Sequence, residues 1–110
     1  MKKEKYNVYL DDCRNTPDGF DIRTYTYEDT IQVLEKMEGH IGVLSLDNDL
    51  GTEKEGRHVM LWMEEKFYTD NGYILPDKII VHSMNPIAKK QMEDIIEILY
   101  KEQKYGREIN

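Results

Sequence analysis

The feature that most constrains the fold is an apolar run that begins at Val43 and leads into two acids, Asp47 and Asp49, and then Gly51. The run is typical of a buried strand, and the glycine marks the point where the chain turns away. A carboxylate at the end of a buried strand is costly to desolvate unless a cation or hydrogen-bond donors compensate. The stretch therefore predicts a strand that carries acids to a site.

Two other strand-like runs end in polar residues in the same way. One leads into Asp11 and Asp12, and the other leads into His82 and Ser83. In an open parallel sheet the carboxyl ends of the strands gather along one edge, where such folds bind ligands. The three strand ends therefore predict a single site. Its expected members are Asp11, Asp12, Asp47, Asp49, His82 and Ser83.

Capping signals and apolar periodicity predict three helices. Thr26 and Asp29 form a capping box at the start of the first helix. The second helix is expected over about residues 57–68, and Asn85 followed by Pro86 is typical of the start of the third. The order strand, strand, helix, strand, helix, strand, helix predicts an α/β fold. We expect four mostly parallel strands, with the first beside the third and helices on both faces.

Length and composition indicate the class of protein. The 110 residues fit one domain over 1–110, with a core at 6–99 and loosely held ends at 1–5 and 101–110. The formal charge of −7 argues against binding to duplex DNA, which needs a basic face. Cys13 is the only cysteine, and no apolar run is long enough to span a membrane. We therefore expect a cytoplasmic protein without a membrane partner, and its oligomeric state stays open.

The acids Asp11, Asp12 and Asp47 suit a hard cation. Mg²⁺ prefers oxygen ligands, takes one or two protein carboxylates and keeps waters for contact with a phosphate. Mg²⁺, or Mn²⁺ in its place, is therefore the expected cofactor, whereas zinc is disfavoured because the cysteine and the histidines show no ligand spacing. The alternative is that these acids only cap loops. Asp49 has three open roles, as a ligand, as a partner for a basic side chain of the site, or as a cap of the turn.

Several polar side chains near the strand ends suit catalysis or phosphate binding. His82 fits a general acid or base near neutral pH, and the alternative is a structural histidine bonded to a carbonyl group. Ser83 is placed to donate to a phosphate oxygen, and Asn85 caps a helix whose first amides favour anions. Arg14 fits either a fork for phosphate or a salt bridge to the neighbouring acids. Lys89 lies near the start of the third helix, where it would face a ligand or solvent.

Three motifs, in order, resemble the cyclic-phosphate processing receiver domain family. The motifs are Val8-Tyr9-Leu10-Asp11-Asp12 with Arg14 and Pro17, Leu44-Ser45-Leu46-Asp47-Asn48-Asp49-Leu50-Gly51, and Val81-His82-Ser83-Met84-Asn85-Pro86. The family is related to response-regulator receivers, which carry a paired acid, a phospho-acceptor aspartate and a serine or threonine at the matching strand ends. Asp11 and Asp12, Asp47, and Ser83 stand at those positions. The resemblance implies a small three-layer receiver-like (flavodoxin-like) sandwich and a magnesium-type site acting on cyclic phosphates.

The sequence departs from an ordinary receiver in two places. No helix fits between the first acids and the second strand, and nothing after the third helix supplies a fifth strand with its lysine. The phosphoryl relay of signalling receivers is therefore not expected.

The resulting hypothesis is a metal-dependent phosphoesterase acting on cyclic phosphates of nucleotides or of RNA 2′,3′ ends, in a bacterium or a phage. Asp47, His82 and Asp49 would be catalytic, and whether Asp47 is a nucleophile or a ligand stays open. Arg14, Ser83, Asn85 and Lys89 would bind the substrate. The alternative is a non-catalytic receiver-like module that senses a phosphate ligand or docks a protein. Phosphorylation of Asp47 itself is a third possibility.

Overall fold

A computed structural model describes residues 4–106 of the chain. The elements follow the predicted order. They are β1 (Tyr6–Leu10), β2 (Ile22–Thr24), α1 (Tyr27–Lys36), β3 (Ile41–Leu46), α2 (Gly56–Thr69), β4 (Lys78–Val81) and α3 (Pro86–Tyr105). No helix within residues 4–106 is long and apolar enough to cross a membrane.

The four strands form one parallel sheet in the order β2-β1-β3-β4. The predicted pairing of β1 with β3 is confirmed. The register places Leu10 opposite Leu46, and Leu46 opposite Val81. The next residue of each strand is therefore Asp11, Asp47 or His82, all at the same edge of the sheet. The α/β, receiver-like architecture expected from the sequence is confirmed.

The three helices all pack against the same face of the sheet. Val8, Leu44 and Ile79, which are neighbours on that face, share one buried cluster with side chains of every helix, including Leu34 of α1 and Met92 of α3. The structure thus differs from the predicted three layers with helices on both faces. The reason is that the connection from β1 to β2, residues 11–21, contains no helix that could cover the second face.

The second face of the sheet carries Tyr9, Arg23, Ser45 and Ile80, which lie side by side in the strand register. Ile80 is 38% exposed, as expected of a face that no helix covers. Tyr9 is nevertheless buried, because the loop that follows β1 brings Phe20 against it with ring centroids 5.2 Å apart. Ser45 is also buried, and the ring of His82 contacts it. This loop takes the place of a helix over one part of the face.

The capping signals of α1 and α3 are confirmed. Thr26 Oγ1 accepts from the amide of Asp29 at 3.2 Å, and Asp29 Oδ1 accepts from the amide of Thr26 at 2.9 Å. Asn85 Oδ1 accepts from the amides of Ile87 and Ala88, both at 3.1 Å. Both caps satisfy amides that have no partner within their helix.

Some element ends differ from the predictions. Strand β2 is short, Ile22–Thr24, and helix α2, Gly56–Thr69, extends one residue beyond the expected range of about 57–68 at each end. The expected loosely held ends fall partly outside the described residues, at 1–3 and 107–110. Residues 101–105 continue α3, since this polar segment is composed largely of good helix formers.

Candidate functional site

Three side chains converge where β1, β3 and β4 end. Asp11, Asp47 and His82 each offer a ligand atom, and these atoms all lie within 4.8 Å of one another. The convergence follows from the backbone, because the amide of Asp47 donates to Leu10 O and the amide of His82 donates to Leu46 O, both at 3.0 Å. The three residues are thus the first positions beyond three hydrogen-bonded strands.

Asp11 is an ionised carboxylate surrounded by donors, and its residue is 1% exposed. Its Oδ1 accepts from the amides of Cys13 at 2.8 Å and Arg14 at 2.9 Å. Its Oδ2 accepts from Arg14 Nη1 at 2.9 Å and contacts His82 Nε2 at 3.0 Å. Burial acts to raise the pKa of Asp11, but the hydrogen bonds from the two amides, His82 and Arg14 outweigh it and lower the pKa to about 2.

Asp47 has the opposite environment, although it lies beside Asp11. It is 7% exposed, and its Oδ1 accepts from the amide of Asn48 at 2.8 Å. Burial, followed by the negative charge of Asp11, raises the pKa of Asp47 above its usual value. A bound cation would offset both effects. Two buried carboxylates and one imidazole therefore form a donor set that fits a divalent metal ion.

Both nitrogens of the His82 ring have partners. Nδ1 lies 2.7 Å from Ser45 Oγ, and Nε2 faces the carboxylate of Asp11. The ring also stacks on Tyr9, with centroids 4.5 Å apart. Burial lowers the pKa of His82 and outweighs the opposing effect of Asp11, so the neutral imidazole is favoured at neutral pH. Only Nε2 is directed towards the acids.

The other two predicted acids lie outside this group. Asp12 and Asp49 are exposed, and neither belongs to the close set of ligand atoms within residues 4–106. Asp49 accepts a hydrogen bond from Asn48 Nδ2 at 3.1 Å. Asp12 directly follows Asp11 in the sequence, and Asp49 is two residues beyond Asp47.

The predicted phosphate-binding residues make protein contacts along the same edge. Arg14 forms the salt bridge to Asp11, and its side chain is 42% exposed. Ser83 is buried, and its Oγ accepts from the amide of Asn85 at 3.0 Å, which leaves its hydroxyl proton available. Asn85 caps α3, and Lys89 is half-buried in the first turns of that helix.

Ser45 and Asn48 are parts of the site that the sequence analysis missed. Ser45 is 2% exposed and bonds to His82, and the two-residue period of a strand places it on the same side as Asp47. That period was a usable signal. Asn48 is also buried, and its Oδ1 accepts from the amide of Arg57 at 3.1 Å, in the first turn of α2.

Helix α2 begins directly against the end of β3. The amide of Gly56 donates to Asn48 O at 2.9 Å. A Cβ atom at Gly56 would lie 1.8 Å from the carbonyl oxygen of Asp47, which is far below any allowed contact. The position therefore requires glycine, because only a residue without a side chain lets the helix approach the strand so closely.

Arg23 fastens the loop that follows Asp11. Its Nη2 donates to the carbonyl of Asp11 at 2.7 Å, and its Nη1 donates to Thr16 Oγ1 at 2.9 Å. The guanidinium group also lies over the ring of Tyr25, 4.4 Å from its centroid. Arg23 thus holds the backbone at Asp11 from outside the site.

Residues 6–98 match the model of one family, described as the cyclic-phosphate processing receiver domain. The chain belongs to this family. The sequence matches no curated protein and no solved structure. Membership in the cyclic-phosphate processing receiver domain family confirms the resemblance seen in the motifs, and it associates this receiver domain with cyclic-phosphate processing.

Proposed function

We propose that this receiver domain is a metal-dependent phosphoesterase that opens cyclic phosphates of nucleotides or RNA ends. The observation that carries the proposal is the convergence of Asp11, Asp47 and His82 within 4.8 Å at the carboxyl edge of a parallel sheet. The raised pKa of Asp47 adds support, because two buried carboxylates repel each other unless a positive charge lies between them.

A divalent cation, Mg²⁺ or Mn²⁺, would be held by Asp11 and Asp47, and the exposed Asp12 directly follows Asp11. Such an ion supplies charge that polarises a phosphoryl group and lowers the pKa of water. Asp11 is ionised under all ordinary conditions and so is always ready to bind it. The two acids fix the ion at the end of the sheet, because both follow directly from hydrogen-bonded strands.

The phosphate would lie against the start of α3. Ser83 has its hydroxyl proton free to donate to a phosphate oxygen, since its Oγ already accepts from the amide of Asn85. Helix starts favour anions, and Lys89 adds positive charge in the first turns of this one. The half-exposed Arg14 holds Asp11 in place, and its Nη1 also donates at 3.3 Å to the carbonyl of His82, the residue before Ser83.

The reaction adds one water molecule across one P–O bond of the ring. The water oxygen bonds to phosphorus, the ester oxygen leaves, and it takes up a proton to become a hydroxyl group. The charge of the cation would lower the pKa of the attacking water, and the proton that the water releases balances the proton that the ester oxygen takes up.

The test is hydrolysis of nucleoside 2′,3′-cyclic phosphates by the purified protein with Mg²⁺ or Mn²⁺, followed by ³¹P NMR. We expect a monophosphate product with the wild type, and none with Asp47→Asn or with a chelator. Asp18→Asn removes the same charge from an exposed loop position and should leave turnover unchanged. Absence of turnover with every cyclic phosphate tested would exclude the enzymatic proposal.

A non-catalytic module that senses a phosphate ligand is the second candidate. One observation favours it: Asp11 already accepts hydrogen bonds from two amides, Arg14 and His82, so its charge is compensated by the protein alone. This candidate predicts binding of a cyclic nucleotide, measured by calorimetry, without turnover. Labelling of Asp47 by a small phosphodonor would instead indicate a phospho-accepting receiver.

A further inference from the structure

We infer that His82 Nε2 is a third ligand of the cation, and that Ser45 is the positioning residue that makes this possible. The inference rests on the metal ion of the proposed function. It adds one nitrogen ligand from β4 to the carboxylates from β1 and β3, and it assigns a role to a buried serine that the phosphoesterase proposal does not use.

The first step of the argument concerns the proton on His82. The carboxylate of Asp11 accepts hydrogen bonds from two amides and a guanidinium group, so it has no proton to donate. His82 Nε2, 3.0 Å from Asp11 Oδ2, must therefore carry the hydrogen when the ring is neutral. Nδ1 then holds a lone pair, and Ser45 must donate its hydroxyl proton to it.

The second step concerns distance. Two ligand atoms at right angles around a small divalent cation, each about 2.1 Å from it, are about 3.0 Å apart. The observed distance from His82 Nε2 to Asp11 Oδ2 is 3.0 Å. The two atoms are thus already spaced as neighbouring ligands, and Asp47 lies within reach of both.

The third step concerns Ser45. Coordination by Nε2 requires that its proton leave and that Nδ1 gain one, so the ring remains neutral and merely changes tautomer. Ser45 Oγ, at 2.7 Å from Nδ1, accommodates the change because a hydroxyl group can turn from donor to acceptor. A ligating histidine commonly donates its other ring N–H to a fixed partner, which orients the ring. Since Ser45 is 2% exposed, water has little access to replace it.

The donor set indicates the class of cation. Two carboxylates and one imidazole suit Mn²⁺ or Zn²⁺ better than Mg²⁺, which prefers oxygen ligands alone. Arg14 Nη1 shares Asp11 Oδ2 with His82 and also donates to His82 O at 3.3 Å. A cation would replace its contact with Asp11, and the guanidinium group, on a side chain that is 42% exposed, would keep the bond to the His82 carbonyl. Asp11, Asp47 and His82 are far apart in the sequence, so the sequence shows no short spacing typical of metal ligands.

The decisive experiment is ¹⁵N NMR of the histidine ring nitrogens at pH 8, without metal and with Zn²⁺, which is diamagnetic. Without metal, we expect the His82 proton on Nε2. With Zn²⁺, we expect it on Nδ1 and a coordination shift at Nε2. A proton that stays on Nε2 while Zn²⁺ binds would overturn the inference, and so would a failure of both Zn²⁺ and Mn²⁺ to bind.

A second experiment tests Ser45 by measuring Mn²⁺ affinity with calorimetry. Ser45→Ala should weaken binding by about 10- to 100-fold, and Ser45→Thr, which keeps the hydroxyl group, should restore most of it. Thr30→Val is the matched control, because Thr30 also carries a buried hydroxyl group but bonds to Thr24 Oγ1 and Thr26 O and to none of the proposed ligands. Equal affinities for Ser45→Ala and wild type would refute the role of Ser45.

The results separate this inference from the proposed function. Turnover of a cyclic phosphate with the proton fixed on Nε2 would leave the phosphoesterase standing and would assign His82 to proton transfer. Coordination of Zn²⁺ by Nε2 without turnover would support the inference and exclude the enzyme.

Discussion

Replacement of Asp47 by asparagine should stabilise the metal-free protein. Two carboxylates whose nearest oxygens lie within 4.8 Å of each other repel each other by about 3 kcal/mol or more at an effective dielectric constant of ~20. His82, the amide of Asn48 and Arg14 offset part of this repulsion at Asp47. Asparagine retains an oxygen for the Asn48 amide and removes the charge. We therefore expect the free energy of unfolding to rise by about 1–2 kcal/mol at pH 7.

The gain in the free energy of unfolding from Asp47→Asn should depend on pH. The folded-state pKa of Asp47 is raised above its ordinary value of 3.8, so the folded wild type holds a proton more tightly than the unfolded chain does. The wild type therefore loses stability as the pH rises from 3.8 through the folded-state pKa of Asp47, whereas the variant has no carboxyl group at this position to titrate. The advantage of Asp47→Asn should be full at pH 7 and should shrink as the pH falls towards 4.

The assay is urea unfolding in EDTA, followed by circular dichroism at several pH values, with Asp18→Asn as the control for loss of one exposed charge. With Mn²⁺ in place of EDTA, the wild type should be more stable than Asp47→Asn. The ion stabilises the folded wild type by binding to it, whereas the variant lacks one of its ligands. A metal-free Asp47→Asn protein that is less stable than the wild type at pH 7 would refute the reasoning. Asp47 would then be a structural acid.

Three further changes test other parts of the structure. Gly56→Ala should lower the free energy of unfolding, measured in the same urea titration, by about 3 kcal/mol or more, because the added methyl group meets the Asp47 carbonyl. Gly72→Ala is the control and should have little effect, because a methyl group there would lie near only the Asp70 side chain. Asn85→Ala should cost about 1 kcal/mol by removing the cap of α3, and Asn85→Asp should retain most of that stability. Asp11→Asn should lower the free energy of unfolding by roughly 2 kcal/mol at pH 7, and the difference from the wild type should vanish as the pH falls through about 2, where Asp11 itself is protonated. A loss of stability that persists below pH 2 would contradict the role of Asp11 as a stabilising carboxylate.

The order of elements and much of the site were predictable because their signals are local. Each strand run ends visibly, and parallel pairing then brings the next residues together. Asp11, Asp47 and His82 meet for that reason alone, since Leu10, Leu46 and Val81 pair side by side. The caps at Thr26 and Asn85 follow from the sequence in the same way.

Other features depend on contacts that no local pattern carries. The position of Arg14 is set by the irregular loop after β1, which Arg23 holds through the carbonyl of Asp11. The sequence around Asn48 is typical of a turn, and the hydrogen bond from the amide of Arg57 to Asn48 forms only when α2 packs against the end of β3. Helices on a single face follow from the missing helix before β2, because the connection from β1 to β2 is the one that would cross the second face.

The fit between Gly56 and the Asp47 carbonyl links a reactive residue to distant surface. Because no space separates the strand end from the first turn of α2, a displacement of one requires a displacement of the other. Helix α2 continues for 14 residues to Thr69, and its outer side exposes Leu61 and Tyr68. A change of charge at Asp47 thus has a direct mechanical route to a surface roughly one to three helical turns away.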